Sequence, residues 1–569
     1  MVGIFINDKK IEVPENSTIL DACKKSNIYI PTLCYHPDQN VKANCRLCIV
    51  EIEGIKELKT SCSTKVKENM KVYTNSKRVR DSRKVLLELI LANHDYNCTS
   101  CSKNLNCELQ KLCNVIGVED TRFKQNKKDL EIDTYNPCIV RDPNKCIKCG
   151  RCIEVCKEVQ GLSILGEVGR SNRLEISPYN KYLSNSSCTY CGQCVLMCPV
   201  GAITIKNEID LVFDAINDQK KHVIVQVAPA VRVSIGEAFN LPSGSITTDK
   251  LVACLKLLGF DKVFDTSFAA DLTIIEESYE LADRIKNNTK LPMITSCSPG
   301  WINYVEQYYP ELLEHLSTCK SPQQMFGAIA RSYYSEKEKI ANEDIFVVSI
   351  MPCTAKKFEA KRDEMKTNGF YDVDVVLTTV EIAKMIKQAG IDFNSLSGTE
   401  FDNPFGISSG AGVIFGNTGG VMEAALRTTF ELITRKELAN IEFTDVRGLK
   451  GIKEAVININ NTEVKVAVVS TLSKAKIVLE SIKNNTCAYT FIEVMTCPGG
   501  CIGGGGQPYT TNKIRQERID SIYEIDRGSK IRKSHENKAI EVLYKEFLMR
   551  PLSEKAHKLL HTKYTNRKK

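Results

Sequence analysis

At 569 residues, 43% of them apolar, the chain is long enough for roughly four domains with cores of their own, which excludes wholesale disorder and a collagen-like rod. The formal charge of +8 counts metal-bound thiolates as neutral, and no basic patch is interleaved with aromatics, so no nucleic-acid partner is expected. The longest apolar runs, Val223 to Val227 and Ile345 to Met351, fall far short of the ~18 residues of a membrane-spanning helix, and the charged start MVGIFINDKK is unlike a signal peptide.

A cytoplasmic protein with no membrane attachment is therefore the expectation, and its twenty-five cysteines sit where thiols stay reduced. A set that large in that compartment points to metal ligation or catalysis, not to disulfides.

Apolar residues alternate from Val2 to Pro14, with Ile4 and Ile6 separated from Ile11 and Val13 by Asn7-Asp8-Lys9-Lys10, which predicts a hairpin. A short helix capped by Ser17 or Thr18 follows, with Ile19, Leu20 and Cys23 toward the core. Next come Cys34, Cys45, Cys48 and Cys62, spaced C-x10-C-x2-C-x13-C. Only the C-x2-C pair is shared with the plant-type 2Fe-2S pattern, and a zinc ribbon also fits. The preceding hairpin and helix favour a ferredoxin-like β-grasp domain over residues 1–80 with one 2Fe-2S cluster.

Arg83 to Ala92 reads as a helix leading into His94, Cys98, Cys101 and Cys107, spaced H-x3-C-x2-C-x5-C. Zinc fits this set almost as well as a 4Fe-4S cubane. In a cubane, the neutral imidazole would remove negative charge and raise the potential, as in Rieske centres. These residues define a His/Cys3 cluster domain over 81–135, with the charged stretch Asp120 to Tyr135 as its linker.

Cys146, Cys149, Cys152 and Cys156, then Cys188, Cys191, Cys194 and Cys198 before Pro199, form two copies of C-x2-C-x2-C-x3-C. In two-cluster ferredoxins the fourth cysteine of each run ligates the other cluster. That rule assigns Cys146, Cys149, Cys152 and Cys198 to one cubane and Cys188, Cys191, Cys194 and Cys156 to the other, in a two-cluster ferredoxin domain over 136–208. With iron throughout, the chain carries three accessory 4Fe-4S clusters beside the 2Fe-2S centre and acts as an electron conduit.

From 209 to 569 strand-like runs such as HVIVQVAPA and IFVVSIMPC alternate with helical ones such as DLTIIEESYELADRIKNN. This predicts a large α/β domain whose functional groups lie where strands end in loops. Three cysteine-bearing segments mark such loops: TSCSPGW at 295–301, MPCTAKKFE at 351–359 and EVMTCPGGCIGGGGQP at 493–508. The glycines around Cys501 let backbone approach a bulky cofactor closely.

These three segments resemble the active-site signatures of the iron-only (FeFe) hydrogenases. The modules before them resemble the long clostridial-type members, and the stretch Ser534 to Asn537 is similar to the family's C-terminal segment. The resemblance implies an H-cluster, a 4Fe-4S cubane joined through a cysteine sulfur to a diiron unit with carbon monoxide, cyanide and a bridging dithiolate amine. Its implied reaction is reversible, two protons and two electrons giving hydrogen.

By motif position Cys353, Cys497 and Cys501 would be ligands, Cys501 the bridging one. Lys356 would hydrogen-bond a cyanide, and Met351 and Met495 would pack on the diiron unit. Glu277, Glu280 and Arg284 share one helix face; alone that reads as a solvated, ion-paired face, but with Cys297 and Ser317 they match the family's proton relay, Arg284 toward its outer end. The resemblance also implies ferredoxin as electron partner, maturation proteins for the diiron unit, and a monomer.

One departure concerns Ser298, which stands where the family has a cubane-binding cysteine. Either Ser298 binds iron as an alkoxide or Cys297 shifts into that role; the first is favoured, because a one-residue slip would redirect the side chain. Ser298 is also the only sequence feature in favour of a different class, a hydrogen or redox sensor or a cluster-binding relative without turnover.

Overall fold

The first hairpin turns more tightly than its spacing predicts. In the computed structural model of the chain, which describes residues 1–124, 129–459 and 462–568, β1 (Val2–Ile6) and β2 (Lys9–Val13) pair antiparallel around Asn7 and Asp8 alone. Both turn residues have positive φ, 47° and 65°, the combination a two-residue turn needs and that Asn and Asp tolerate. Lys9 and Lys10 therefore enter the strand.

Helix α1 (Ile19–Lys25) starts at Thr18, whose hydroxyl accepts from the Asp21 amide while Asp21 closes the capping box, and its Ile19, Leu20, Ala22 and Cys23 are buried. With β3 (Ile49–Ile52), β4 (Lys59–Thr60) and β5 (Lys71–Tyr73) the hairpin forms a five-stranded sheet of order β2-β1-β5-β3-β4, in which β1 and β5 run parallel. Helix α2 (Lys77–Leu91) begins before the apolar run that predicts it, because the Ser76 hydroxyl caps the Val79 amide. Of the linker expected over 120–135, residues 125–128 lie outside the described residues.

The chain divides into two compact units, one of Met1–Glu158, Ser163–Ser186 and Met197–Thr204, the other of Val159–Leu162, Ser187–Leu196 and Ile205–Lys569. The second unit has a mixed α/β fold. Its first sheet is wholly parallel: β6 (His222–Val227) lies between β7 (Lys262–Asp265) and β8 (Ile345–Met351), and β9 (Val375–Thr378) flanks β8. These strands read as continuous apolar runs because helices cover both faces of such a sheet. Val223, Ile224, Val225 and Val227 are fully buried, worth roughly 1.5–3 kcal/mol each.

A second sheet pairs β10 (Met293–Ile294), β11 (Phe491–Met495) and β12 (Thr462–Ser470) in parallel and adds β13 (Ile452–Ile459) antiparallel at its edge. Asp265 caps the long helix α3 (Thr266–Asn287), which is buried along most of its length. Among the described residues no helix is long and apolar enough to cross a membrane.

Candidate metal centres and the cavity at the strand ends

No disulfide joins any of the twenty-five cysteines. In the first unit the Cys48 and Cys62 sulfurs lie 3.3 Å apart and the Cys45 amide donates to Cys34 Sγ at 3.4 Å. Hydrogen bonds from their partner thiols pull Cys34 and Cys48 down to about 6, toward the thiolate that a metal binds. The four side chains thus form two touching thiol pairs within one small domain.

His94 is buried, and its Nδ1 lies 2.9 Å from the Lys145 carbonyl. A carbonyl only accepts, so the proton sits on Nδ1 and Nε2 keeps its lone pair, the tautomer of a metal ligand held by backbone. Burial also depresses the imidazole's basicity and favours the neutral form. Cys146, Cys149, Cys152 and Cys198 line one cavity, so four residues separated by up to 52 positions in sequence converge there. Cys156 belongs to the first unit, and Cys188, Cys191 and Cys194 belong to the second.

The second unit holds a larger cavity. Its walls are the segments that follow parallel strands: Ala228 after β6, Thr266 after β7, Pro352 and Cys353 after β8, Cys297 and Ser298 after β10, and Thr496 and Cys497 after β11. Ligand sites form where such strands open into loops, and here two sheets open toward one space. Cys501, Met351, Met495 and Lys356 complete the set that the signatures predict.

Burial raises four thiols on this wall: Cys501 to about 12, with Cys353 contributing, Cys353 itself, and Cys497 and Cys297 well above the ordinary range. Such a crowd of buried thiols is a poor site for thiolates unless a metal supplies the compensating charge, in which case the preference inverts. Gly500 holds φ at 87°, and a Cβ there would meet the Thr418 amide nitrogen at 2.5 Å, so the loop carrying Cys501 closes only with glycine.

Lys356 is less free than its motif implies. Its Nζ donates to Glu359 Oε2 at 2.8 Å and to the Cys297 carbonyl at 3.3 Å. The ammonium's third hydrogen remains for the cavity. The Ser298 hydroxyl shares a 2.9 Å hydrogen bond with the Thr496 hydroxyl and stands at the start of the helix Pro299–Tyr308.

Cys191 lies on the same cavity wall as Cys353, Cys497 and Cys501. Gln193 donates to the Gly503 carbonyl at 2.9 Å, the Thr354 hydroxyl donates to the Tyr190 carbonyl at 2.7 Å, and a Cβ on Gly505 would strike the Cys191 carbonyl at 2.4 Å. The sequence assigns Cys191 to an accessory cluster but carries no signal of this contact, since the contacts run through backbone.

On α3, Glu277 is buried, and its Oε2 has no hydrogen-bond partner among the described residues. Burial, with the nearby Glu280 charge, raises its carboxyl to about 8, and the Ser317 hydroxyl offsets part of that rise. Ser317 Oγ also donates to Glu280 Oε2 at 2.9 Å, and Arg284 Nη2 donates to Glu280 Oε1 at 2.7 Å. Glu277, Ser317, Glu280 and Arg284 therefore lie in one buried polar line, with Glu277 raising the Cys297 thiol at its inner end.

Comparison with known proteins agrees with this geometry. Residues 221–505 match the family described as iron only hydrogenase large subunit, C-terminal domain, and 512–567 match iron hydrogenase small subunit. Residues 1–77 match a 2Fe-2S iron-sulfur cluster binding domain, 83–122 the NADH-ubiquinone oxidoreductase-G iron-sulfur binding region, and 136–204 the ferredoxin-like domain of NADH-quinone oxidoreductase subunit 3.

The chain is 46% identical to NADP-reducing hydrogenase subunit HndD of Solidesulfovibrio fructosivorans over the whole of both chains. It is 42% identical to Iron hydrogenase 1 of Clostridium pasteurianum, over 99% of this chain and all of that one. A solved structure of the FeFe-hydrogenase HydA1 from Chlamydomonas reinhardtii superposes with a TM-score of 0.58 at 42% identity, covering 64% of this chain and all of that one.

Proposed function

The chain belongs to the iron-only (FeFe) hydrogenases, and from that premise we propose how its residues divide the work of making and consuming hydrogen. The enzyme combines two protons with two electrons at an H-cluster and exchanges the electrons through iron-sulfur clusters. When bound, the H-cluster supplies the metal chemistry of that reaction; the protein supplies the socket, the electron path and the proton path.

Cys353, Cys497 and Cys501 would hold the H-cluster, with Ser298 as the fourth position of its cubane and Cys297 reserved for proton relay. The observation that carries this reading is the convergence of the three signature segments on one cavity, although Cys297 and Cys501 lie 204 residues apart in sequence. Met351 and Met495 pack the wall, and Lys356, oriented by Glu359, directs its remaining hydrogen toward a negative ligand. Iron analysis after anaerobic reconstitution tests the assignment: Cys353→Ala should lose the iron of one cubane and keep that of the accessory clusters.

The electron path consists of one 2Fe-2S cluster at Cys34, Cys45, Cys48 and Cys62 in a β-grasp domain over 1–80, then a cubane at His94, Cys98, Cys101 and Cys107 within 81–135. Two further cubanes lie in the ferredoxin-like domain over 136–208, and the catalytic domain runs over 209–569. Cys191 beside the H-cluster socket makes the cubane of Cys188, Cys191, Cys194 and Cys156 the last station. Protons move along Cys297, Glu277, Ser317 and Glu280.

Ferredoxin is the proposed electron partner of a monomer, and maturation proteins deliver the diiron unit. The full-length likeness to a subunit of an NADP-reducing hydrogenase favours a second reading, a partner subunit that passes electrons to NADP. Purification in its native context separates these: a stable complex supports the partner subunit, and a monomer reduced by ferredoxin supports the first.

A further inference from the structure

At the outer end of the proton line described above, Glu280 is 9% exposed and Arg284 6%. Arg284 closes it, with its guanidinium pinned by the carbonyls of Lys290, Glu314, His315 and Leu316 as well as by Glu280. A guanidinium does not give up a proton in proteins and, so fixed, it orients Glu280 and cannot carry protons onward.

The other carboxylate oxygen of Glu280, Oε2, faces a second set of ionisable side chains. A Glu280 carboxylate oxygen, Cys319 Sγ and a ring nitrogen of His561 all lie within 4.8 Å of one another, and all three residues are buried. Cys319 Sγ points at Glu280 Oε2 from 3.8 Å. His561 Nε2 lies 3.1 Å from Glu276 Oε2, and its Nδ1 lies 2.8 Å from the Thr318 hydroxyl. Glu276 also accepts from the Tyr544 hydroxyl and the Leu552 amide, so it fixes the ring with Nε2 as donor and leaves Nδ1 to gain or lose a proton. One helical turn away, the exposed imidazole of His557 lies against His561, ring centres 4.3 Å apart.

We propose that His561 is the outer proton carrier of this enzyme, exchanging protons with Glu280 through the Cys319 thiol and with solvent through His557. The proposal rests on the relay reading of Glu277, Ser317 and Glu280. In the direction of hydrogen evolution, His557 delivers a proton from solvent to His561. The imidazolium gives a proton to Cys319 as that thiol gives its own to the Glu280 carboxylate. Glu280 becomes the acid, His561 returns to neutral imidazole, the thiol is regenerated, and no electron moves.

The surroundings suit this role. Burial, reinforced by the charges of Glu280, Glu277 and Glu276, holds Cys319 as a thiol, the form that can accept and donate in one concerted exchange. The charged and titratable groups facing His561 are Glu276 and Glu280 from α3, Cys319 from the segment after the Pro310–His315 turn, Tyr544 from the C-terminal region and His557 from its own helix. Arg284 is held on the far side of Glu280 by the carbonyls named above.

The test uses the fully loaded, anaerobically purified enzyme, with hydrogen evolution measured from pH 5.5 to 9 in H2O and D2O. His561→Gln keeps hydrogen-bonding groups but cannot shuttle, and should slow evolution at least tenfold with a larger solvent isotope effect and wild-type iron content. His561→Ala should recover rate on addition of imidazole, in a saturable manner whose pH profile follows the added base.

Wild-type rate and isotope effect in His561→Gln, or no recovery with imidazole in a folded, iron-replete His561→Ala, would overturn the proposal. Glu277→Gln, measured alongside, locates the failure. If it is inactive while His561→Gln is normal, only the outlet is wrong; if it is fully active, the relay itself falls and the outlet with it.

Discussion

The Ser317 hydroxyl donates to Glu280 at 2.9 Å across 37 positions of sequence, and the same hydroxyl steadies Glu277. The hydroxyl thus acts on two carboxyls of α3 that lie one helical turn apart. In the proposed relay that hydroxyl passes the proton between them. Ser317→Ala should lower turnover by about 10²–10⁴-fold, the usual worth of a positioned proton-transfer group. Iron content and the cluster spectra should stay as in the wild type; Ser317→Thr, which keeps the hydroxyl, should restore much of the rate.

Glu277 titrates near 8, and the sign of its effect follows from which form does the work. Hydrogen evolution needs the acid, so that limb should fall above about 8, whereas hydrogen oxidation needs the carboxylate and should rise through the same pH. Stability follows the same group. Its folded pKa lies above the unfolded value, so the contribution is fully present below about 4.5 and lost as pH rises through about 8. Rate profiles in both directions, with thermal unfolding at matched pH, check both signs.

Ser298 offers a hard oxygen where sulfur would be softer, and its hydroxyl is shared with Thr496. Ser298→Cys should shift the midpoint potential of the H-cluster cubane in a redox titration and sharpen its spectrum, because thiolate donation differs from that of an alkoxide. Identical spectra, potentials and rates would remove Ser298 from the ligand set.

Gly500 stands next to Cys501 with φ at 87° and the Thr418 amide where a Cβ would go. Gly500→Ala should cost about 1–3 kcal/mol through overpacking and misplace Cys501. A lower melting temperature together with reduced iron loading is the expected result; unchanged values in both would show that the loop relaxes.

Much of this architecture is legible in local sequence. The hairpin, the helix after Thr18, the strands at His222–Val227 and Ile345–Met351 and the ferredoxin-type cysteine runs all announce themselves by period or spacing, since their physics is local. The turn at Asn7 and Asp8 came out shorter than expected because two positive φ values suffice to reverse the chain. What local pattern could not carry is the company each residue keeps. Glu359 orients Lys356 from within the same signature, but Thr496 against Ser298, Gln193 against Gly503 and His561 against Cys319 meet only after folding, across 198, 310 and 242 positions. Nothing in the periodicity around any of them marks the contact.

Turnover of hydrogen by this chain is measured directly as hydrogen evolution by anaerobically purified, fully matured protein given a reduced low-potential dye, with iron determined on the same sample. Sustained hydrogen production with Ser298 in place is the expected result. A full iron complement with no hydrogen would contradict it, and would place the chain among relatives that bind clusters without turnover.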